Sequence, residues 1–325
     1  MINRNDVDVL EDDILQLDRK LLKTLLVDRT TQKNILWATD DYDYLGSLYS
    51  KSSQITIEAI TGANSKLIQP RVEKEKAHQE RRTKKSAEVF TPSWVCNEQN
   101  NLIDREWFGR DGVFNVAYGK MWVANLERIQ FPDKKAKHWQ KYVDAKRLEI
   151  TCGEAPYLVS RYDTVTGQKL TLSSRIGLLD RKLRVVTENA SSDEEWLKWA
   201  ERAVQSVYGF EYQGDNLLLA RENVLLTYMD YFEYKFNREP KAEELQNIAL
   251  IISWNLWQMD GLNYAIPNCG ELPFYQMSIF DLSENEDDYA YLSLLDPKDK
   301  PLCKIRDWRS KETIVFKSLV KGGLL

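Results

Sequence analysis

The residues most suggestive of chemistry lie in the stretch LEITCGEAPYL, where an apolar run ends in Cys152-Gly153-Glu154. A turn that brings backbone N–H groups close to a ligand needs small residues, and Gly153 meets that need. Further along the chain, Glu211 ends a second apolar run, VYGFE. A carboxylate there can accept hydrogen bonds from the two hydroxyls of a ribose. Because ligands of open α/β sheets lie beyond the carboxyl ends of the strands, these residues predict a nucleoside-binding half-domain.

The segments around these residues alternate between strand-like and helix-like patterns. RLEIT and SVYGFEY are strand candidates, and NILWATD is a possible third. EDDILQLDRKLLKTLLVDRT has the apolar spacing of an amphipathic helix. Further helix candidates are SDEEWLKWAERAVQ, GDNLLLARENVLLTYMDYFEYKF and EPKAEELQNIALIISWNLWQM. Strands that alternate with helices predict an α/β fold with a parallel sheet covered on both faces.

Composition narrows the class of protein. The chain has 325 residues, a net charge of -5, four widely spaced cysteines and two histidines. We therefore expect no zinc site and no disulfide framework. No apolar run approaches the ~18 residues that a membrane span requires, and MINRNDVDVLEDD lacks the apolar core of a secretory signal. A cytoplasmic, reduced protein without a metal or membrane partner is the simplest expectation.

One segment, RVEKEKAHQERRTKKSAEVFTPSW, is the most basic in the chain. Its glutamates interleave with the basic residues, which favours a solvated helix face. A strip that contacts phosphates is the alternative, since a local basic patch is sufficient for nucleic-acid binding. Both interpretations stay open at the level of sequence. The basic residues are Arg71, Lys74, Lys76, Arg81, Arg82, Lys84 and Lys85.

Four segments together resemble the motifs of DNA adenine-N6 methyltransferases, in the same order. SAEVFTPSW is similar to their opening phenylalanine-threonine-proline motif, and LEITCGEAPYL to their S-adenosylmethionine loop. VYGFEYQGDNLLLAREN resembles the next strand and helix, and NLWQMDGL the segment whose acid lies beside the cofactor's adenine. More broadly, NILWATDDY, IQPRV, EVFTPSW and WQMDGL look like bacterial restriction-modification methylase subunits, from about Asn34 to the C-terminus.

This resemblance implies a Rossmann-like, S-adenosylmethionine-dependent methyltransferase sheet within residues 86–325, and a composition shift near residue 140 marks a candidate sub-boundary. A mainly helical region, residues 1–85, would precede it and carry the basic strip. The cofactor would be S-adenosylmethionine, and the partners DNA and a restriction or specificity subunit. The implied cofactor-binding residues are Phe90, Thr91, Pro92, Glu149, Cys152, Gly153, Glu154, Glu211 and Asp260.

Simpler roles for several of these residues stay open. Glu211 is also placed to cap the helix that follows it. Asp260 precedes Gly261, and Asp-Gly is a common turn pair. Cys152 fits a small buried residue better than a nucleophile, because no histidine lies near it in sequence.

The catalytic signature of the resembled family is incomplete. Methyl transfer to the adenine amine normally uses an Asn/Asp-Pro-Pro-aromatic turn, and this chain has no Pro-Pro pair. The positional substitute is GELPFYQM, where Glu271 would accept from the amine beside Pro273 and Phe274 would stack on the flipped base. Asp296, in LDPKD, is a second candidate. Two functions remain open: an active DNA adenine-N6 methyltransferase, or an inactive methyltransferase-fold subunit or binding module in defence or counter-defence.

Overall fold

The first amphipathic segment forms two helices. The structure, a computed structural model, describes residues 4, 6–86, 88–132, 138–268 and 301–321, without the side chains of residues 85, 86 and 321. Helix α1 spans Glu11–Leu17 and α2 spans Arg19–Leu26, with a break at Asp18. The side chain of Asp18 caps α2 by accepting a hydrogen bond from a first-turn amide at 2.8 Å. The expectation of one continuous helix is therefore wrong, although Leu21 and Leu25 are buried as the spacing predicted.

Nine further helices are formed by the described residues. Those that the sequence patterns predicted are present as α8, α9 and α10. The first two end where the patterns end, whereas α10 stops at Asn255 because Leu256–Gln258, expected to continue the helix, forms a strand. Within these ranges, no helix has both the length and the apolarity that crossing a membrane requires. The helices are α3 Ile57–Ile60, α4 Lys76–Ser86, α5 Ser93–Phe108, α6 His138–Asp144, α7 Leu178–Asn189, α8 Asp193–Gln205, α9 Gly214–Phe236, α10 Ala242–Asn255 and α11 Phe316–Lys321.

A parallel sheet lies at the centre of the described part of the chain. Two antiparallel hairpins accompany it: β1 Asn115–Tyr118 with β2 Met121–Ala124, and β6 Lys304–Asp307 with β7 Glu312–Val315. The sheet has the order β3-β4-β5, and both pairings are parallel. The molecule is thus mixed α/β, and the strands expected at RLEIT and SVYGFEY are confirmed. The three strands are β3 Arg147–Glu149, β4 Val207–Glu211 and β5 Leu256–Gln258.

Both faces of this sheet are covered, but by different elements. Val207 and Leu256 belong to the large core, to which helices α2, α9 and α10 also contribute. Tyr208 and Trp257, one residue further along each strand, point to the other side because side chains alternate across a strand. There they join a second apolar cluster with Phe316, from α11, and with residues of the β6–β7 hairpin. The carboxyl edge of the sheet therefore lies between two packed layers.

The N-terminal region contributes to the same core as the rest of the chain. Val9, Trp37 and Ile60 belong to one apolar cluster with Leu217 and Leu256. The proposed boundary near residue 85 stays a prediction, and the apolar packing does not stop there.

The segment NILWATD does not form the strand that its composition suggested. Leu36 makes only an isolated bridge with Gln54. Its backbone N–H and C=O are bound instead by the side-chain amide of Gln258, at 2.8 Å each. The segment therefore lies beside β5 without joining the sheet.

Candidate functional site

The carboxyl ends of β3 and β4 bring the two residues singled out first into direct contact. The backbone N–H of Gly153 donates a hydrogen bond to Glu211 Oε2 at 2.8 Å. Beside it, the Cys152 N–H donates to the Phe210 carbonyl at 2.8 Å. The turn after the first strand and the acid at the end of the second thus meet at one edge, as the sequence predicted.

Glu211 is held entirely by backbone amides. Its Oε1 accepts from the N–H groups of Tyr212 and Gln213, at 2.9 and 3.1 Å. With the Gly153 bond, three of the roughly four acceptor positions of a carboxylate are used. The side chain is buried at 8% exposure, and burial raises its pKa although the three amides act in the opposite direction.

The alternative role of Glu211 as a helix cap does not describe this geometry. Helix α9 has Gln213 as its N-cap residue, without a capping bond from its side chain. Glu211 instead closes the loop between β4 and α9 and ties that loop to Gly153. Gly214 then starts α9 so close to the Leu36 carbonyl that a Cβ on it would lie 1.9 Å from that oxygen.

The turn itself has an unusual backbone. Thr151, Gly153 and Ala155 have φ values of 48°, 52° and 64°, all in the left-handed region. Gly153 adopts this conformation without a steric penalty, but a β-branched threonine there is a genuine outlier. Left-handed non-glycine residues cost on the order of 1–3 kcal/mol each and cluster at functional sites. At Ala155, a glycine would adopt the same left-handed conformation without this cost.

Two further acids stabilise the chain that follows the turn. Glu149 accepts from the N–H groups of Tyr157 and Leu158, at 3.3 and 3.2 Å, and burial raises its pKa to about 8. Glu154 accepts from the Arg71 N–H at 2.6 Å and from the Tyr162 hydroxyl at 2.7 Å. Both carboxylates thus have protein partners, and their roles as cofactor ligands stay predictions.

Cys152 lies within the fold rather than at its surface. It is 1% exposed, and burial raises the pKa of its thiol well above the ordinary value. A thiol that resists ionisation is a poor nucleophile. The interpretation of Cys152 as a small buried residue is therefore confirmed.

The phenylalanine-threonine-proline segment reaches the same turn. The Phe90 ring lies against Gly153, so that a Cβ on this glycine would be 3.4 Å from Phe90 Cε1. The Arg71 guanidinium also lies over this ring, with its Cζ 5.3 Å from the Phe90 ring centroid. The Thr91 carbonyl accepts from the Thr164 hydroxyl at 3.1 Å, and Pro92 is the N-cap residue of α5. Of the three motif residues, Phe90 is the one in contact with the glycine.

Asp260 forms a local turn. Its Oδ1 accepts from the Leu262 N–H at 2.9 Å, and its Oδ2 from the Asn263 side-chain amide at 2.6 Å. Aspartates commonly close turns in this way, which supports the simpler of its two predicted roles. The three candidate catalytic residues, Glu271, Pro273 and Phe274, lie outside the described residues, as does Asp296.

Sequence reasoning missed a buried ionic network, the Arg82 network, next to the Glu211 loop. Arg82 is 0% exposed and donates to Asp215 Oδ2 at 2.7 Å, Asp41 Oδ2 at 3.0 Å and Glu88 Oε2 at 2.7 Å. Lys74 Nζ lies 3.3 Å from Asp215 Oδ2. Burial alone would raise the pKa of Asp215, but Arg82 and Lys74 hold it well below the ordinary value.

This network changes the interpretation of the basic strip. Lys74 and Arg82 are buried ion-pair partners, so for these two residues both the solvated-face and the phosphate-contact hypotheses are wrong. Lys76, Arg81 and Lys84 are exposed, as a solvated helix face requires. Nothing in the spacing of the basic residues distinguishes Arg82 from Lys84.

No protein-family model, curated protein or solved structure matches this chain. The resemblance to methyltransferases therefore stays a prediction based on the quoted motifs. What the geometry tests is whether those motifs meet in space. Gly153, Glu211 and Phe90 do meet, in a chain where the first two are 58 residues apart.

The chemistry available at this edge is that of binding rather than nucleophilic attack. Glu211 retains acceptor capacity for a hydroxyl donor, whereas the Gly153 N–H is bonded to Glu211 and the Phe90 ring lies where a Cβ on this glycine would point. Within the described ranges, no group of three or more His, Cys, Asp or Glu side chains is arranged to hold a metal ion.

Proposed function

We propose that this chain binds S-adenosylmethionine at the carboxyl edge of the β3-β4-β5 sheet, as a DNA adenine-N6 methyltransferase-like protein of restriction-modification type. The observation that carries the proposal is the 2.8 Å hydrogen bond from the Gly153 N–H to Glu211. It joins the motif resembling a cofactor loop to the acid expected to bind ribose. The parallel strand order supports a Rossmann-like sheet.

The residues present at the edge fit this cofactor. Glu211 has an acceptor position left for a ribose hydroxyl, and a buried carboxylate makes a strong bond to such a donor. Gly153 has no side chain beside Glu211, to which its backbone N–H is bonded. Phe90, against that glycine, would border the methionine end. When bound, S-adenosylmethionine would supply the methyl group, and the chain's own residues would orient it.

For the transfer itself, the sequence offers candidates in the segment GELPFYQM. Glu271 would accept hydrogen bonds from the adenine amine beside Pro273, and Phe274 would stack on a base extruded from the duplex. DNA is then the substrate. A restriction or specificity subunit would be a further partner.

A second function is favoured by one specific observation. The nine prolines include no adjacent pair, so the turn that positions the amine in the resembled enzymes is absent. A methyltransferase-fold subunit, or a binding module in defence or counter-defence, does not need that turn. It would need either the cofactor-binding edge of the sheet or only the overall fold. Such a protein would bind S-adenosylmethionine without methylating DNA, or bind a partner alone.

Calorimetry with S-adenosylmethionine tests the binding site directly. Glu211→Gln keeps the side-chain shape but replaces one acceptor oxygen by a donor. We expect its affinity to fall about 10- to 150-fold, the equivalent of losing one hydrogen bond to a charged group. Glu222→Gln is the matched control, because Glu222 is equally buried in α9 and lies outside the turn. Equal affinity in the wild type and Glu211→Gln would reject the proposed site.

Methyl transfer separates the two functions. Incubation of the purified protein with isotopically labelled S-adenosylmethionine and genomic DNA should place the label on adenine if the enzyme is active, and Glu271→Ala should abolish it. Cofactor binding without labelled DNA would favour the inactive subunit. Absence of cofactor binding in the wild type would remove both methyltransferase assignments and leave the partner-binding alternative.

A further inference from the structure

Arg82 connects four separate segments of the chain through one side chain. Its guanidinium donates to Asp41, Glu88 and Asp215 and to the side-chain carbonyl of Gln213. These acceptors come from three places in the fold, the Asp41 loop, the Glu88 segment and the start of α9, and helix α4 with Arg82 itself is the fourth connected segment. A guanidinium presents its donors in a fixed planar fork, so it fixes the acceptors relative to one another.

Two of these segments carry the proposed cofactor site. Glu88 precedes Phe90 by two residues, and the Phe90 ring lies against Gly153. Gln213 follows Glu211 by two residues, and its backbone N–H is one of the donors to the Glu211 carboxylate. A shift of Arg82 would therefore move the Phe90 segment on one side of Gly153 and the Glu211 loop on the other side.

Neighbouring contacts make this connection rigid. Asn216, in α9, donates from its side chain to Glu88 Oε2 at 3.0 Å. The Glu88 carboxylate thus has a second partner besides Arg82. Arg71 donates to the Glu88 carbonyl at 3.2 Å and covers the Phe90 ring. The segment that leads to Phe90 is thus attached to the start of α9, with Arg82 at the centre of the attachment.

We propose that Arg82 is a positioning residue for the cofactor site: it sets the distance between the Phe90 segment and the Glu211 loop, and so holds the Gly153 N–H on Glu211. Arg82 acts through Glu88 and Gln213, and its hydrogen-bond partners among the described residues do not include Phe90, Gly153 or Glu211. The proposal rests on the proposed function for its consequence in binding, but its structural part requires no ligand.

Amide hydrogen exchange tests the structural part by NMR. In Arg82→Lys the charge remains but the fork is lost, and we expect the Gly153 amide to exchange at least tenfold faster. The adjacent Cys152 amide, bound to the Phe210 carbonyl within the sheet, should keep its rate. Arg181→Lys is the matched control, since Arg181 is 1% exposed and donates to Asp104, Asn97 and Asn101 from α7.

Binding gives a second readout that a merely structural arginine would not change. Arg82→Lys should weaken S-adenosylmethionine binding about tenfold, whereas Arg181→Lys should leave it unchanged even where both lower the melting temperature equally. Glu88→Gln leaves Arg82 its other partners, so we expect faster Gly153 amide exchange and weaker S-adenosylmethionine binding, both smaller than in Arg82→Lys. This variant tests the proposal if Arg82→Lys does not fold.

The outcomes separate this proposal from the proposed function. Unchanged Gly153 exchange in both Arg82→Lys and Glu88→Gln, or an equal effect of Arg181→Lys, would overturn the positioning role. If the wild type does not bind S-adenosylmethionine, the proposed function fails. The exchange rates then still decide whether Arg82 holds Gly153 on Glu211.

Discussion

Two groups of buried carboxylates lie near the Glu211–Gly214 loop, and they differ in what stabilises their charge. In the Arg82 network, Asp215 is bound by a guanidinium and an ammonium. In the turn cluster, which we define as Glu149, Glu154 and Glu211, the partners are mainly backbone N–H groups. Burial raises the pKa of all three turn acids, whereas the cations lower that of Asp215.

The contrast indicates different purposes for the two groups. A carboxylate paired with buried cations has a fixed charge and cannot exchange partners without leaving those cations uncompensated. A carboxylate held by backbone amides keeps acceptor capacity for a further donor, and it can gain or lose a proton. The Arg82 network is therefore suited to holding segments together, and the turn cluster to sharing its acceptors with a ligand.

The largest expected effect comes from neutralising Asp215. Asp215→Asn keeps the shape but leaves Arg82 and Lys74 buried without this countercharge. Breaking a buried ion pair in this way costs about 3–5 kcal/mol, which is a large share of a domain's stability. Urea denaturation followed by tryptophan fluorescence measures the free energy of unfolding.

Glu154→Gln provides the matching change in the turn cluster. Glu154 is 1% exposed, but its partners are an amide and the Tyr162 hydroxyl, which can turn from donor to acceptor. We expect a loss of about 1 kcal/mol, the net contribution of an ordinary hydrogen bond. Equal losses in Asp215→Asn and Glu154→Gln would break the distinction between the two groups.

Much of the fold was accessible from the sequence because its signals are local. The strands ending near Glu149 and Glu211 and the long helix after Gly214 follow from apolar runs and caps. The meeting of Gly153 with Glu211 followed from one rule, that parallel strands share a carboxyl edge.

The errors came from interactions between residues that are distant in sequence. Arg82 is buried only because Asp41, Glu88 and Asp215 converge on it from other segments. The amphipathic pattern of the first helix continues through Asp18, but the side chain of Asp18 caps a new helix there. Charge spacing and apolar periodicity do not record such contacts.

A dependence of stability on pH should follow from the turn cluster. The pKa of Glu149 is raised from 4.5 to about 8, so the folded protein binds a proton that the unfolded chain has already released. The stabilisation is complete below pH 4.5 and is lost as the pH rises through 8. Between these values one such proton changes the free energy of unfolding by about 1.4 kcal/mol per pH unit.

Other groups narrow the useful range of this measurement. Asp8 and Asp180, raised to about 6, act in the same direction below that pH. Asp215, with its lowered pKa, acts oppositely, but only below its ordinary value of 3.8. Burial also raises the pKa of Glu11 and Glu222 and lowers that of Lys182, so urea denaturation at pH 6.5, 7.5 and 8.5 isolates Glu149 by the difference between the wild type and Glu149→Gln. Glu149→Gln should flatten the decline, and an unchanged slope would assign it to another group.

The smallest effect concerns the backbone of the turn. Ala155 is buried and has a φ of 64°. In Ala155→Gly, relief of about 1–2 kcal/mol of left-handed strain is offset by the lost methyl burial, about 0.8 kcal/mol, and by the greater freedom of the unfolded chain, about 0.4–1 kcal/mol. We expect a change within about 0.8 kcal/mol of zero. In Ala200→Gly, within helix α8 and equally buried, the same losses have no relief to offset them and should total about 1.5–2 kcal/mol. The difference between the two melting curves measures the strain in the turn. If both substitutions destabilise equally, Ala155 is unstrained, and the left-handed turn has no cost that a functional role must explain.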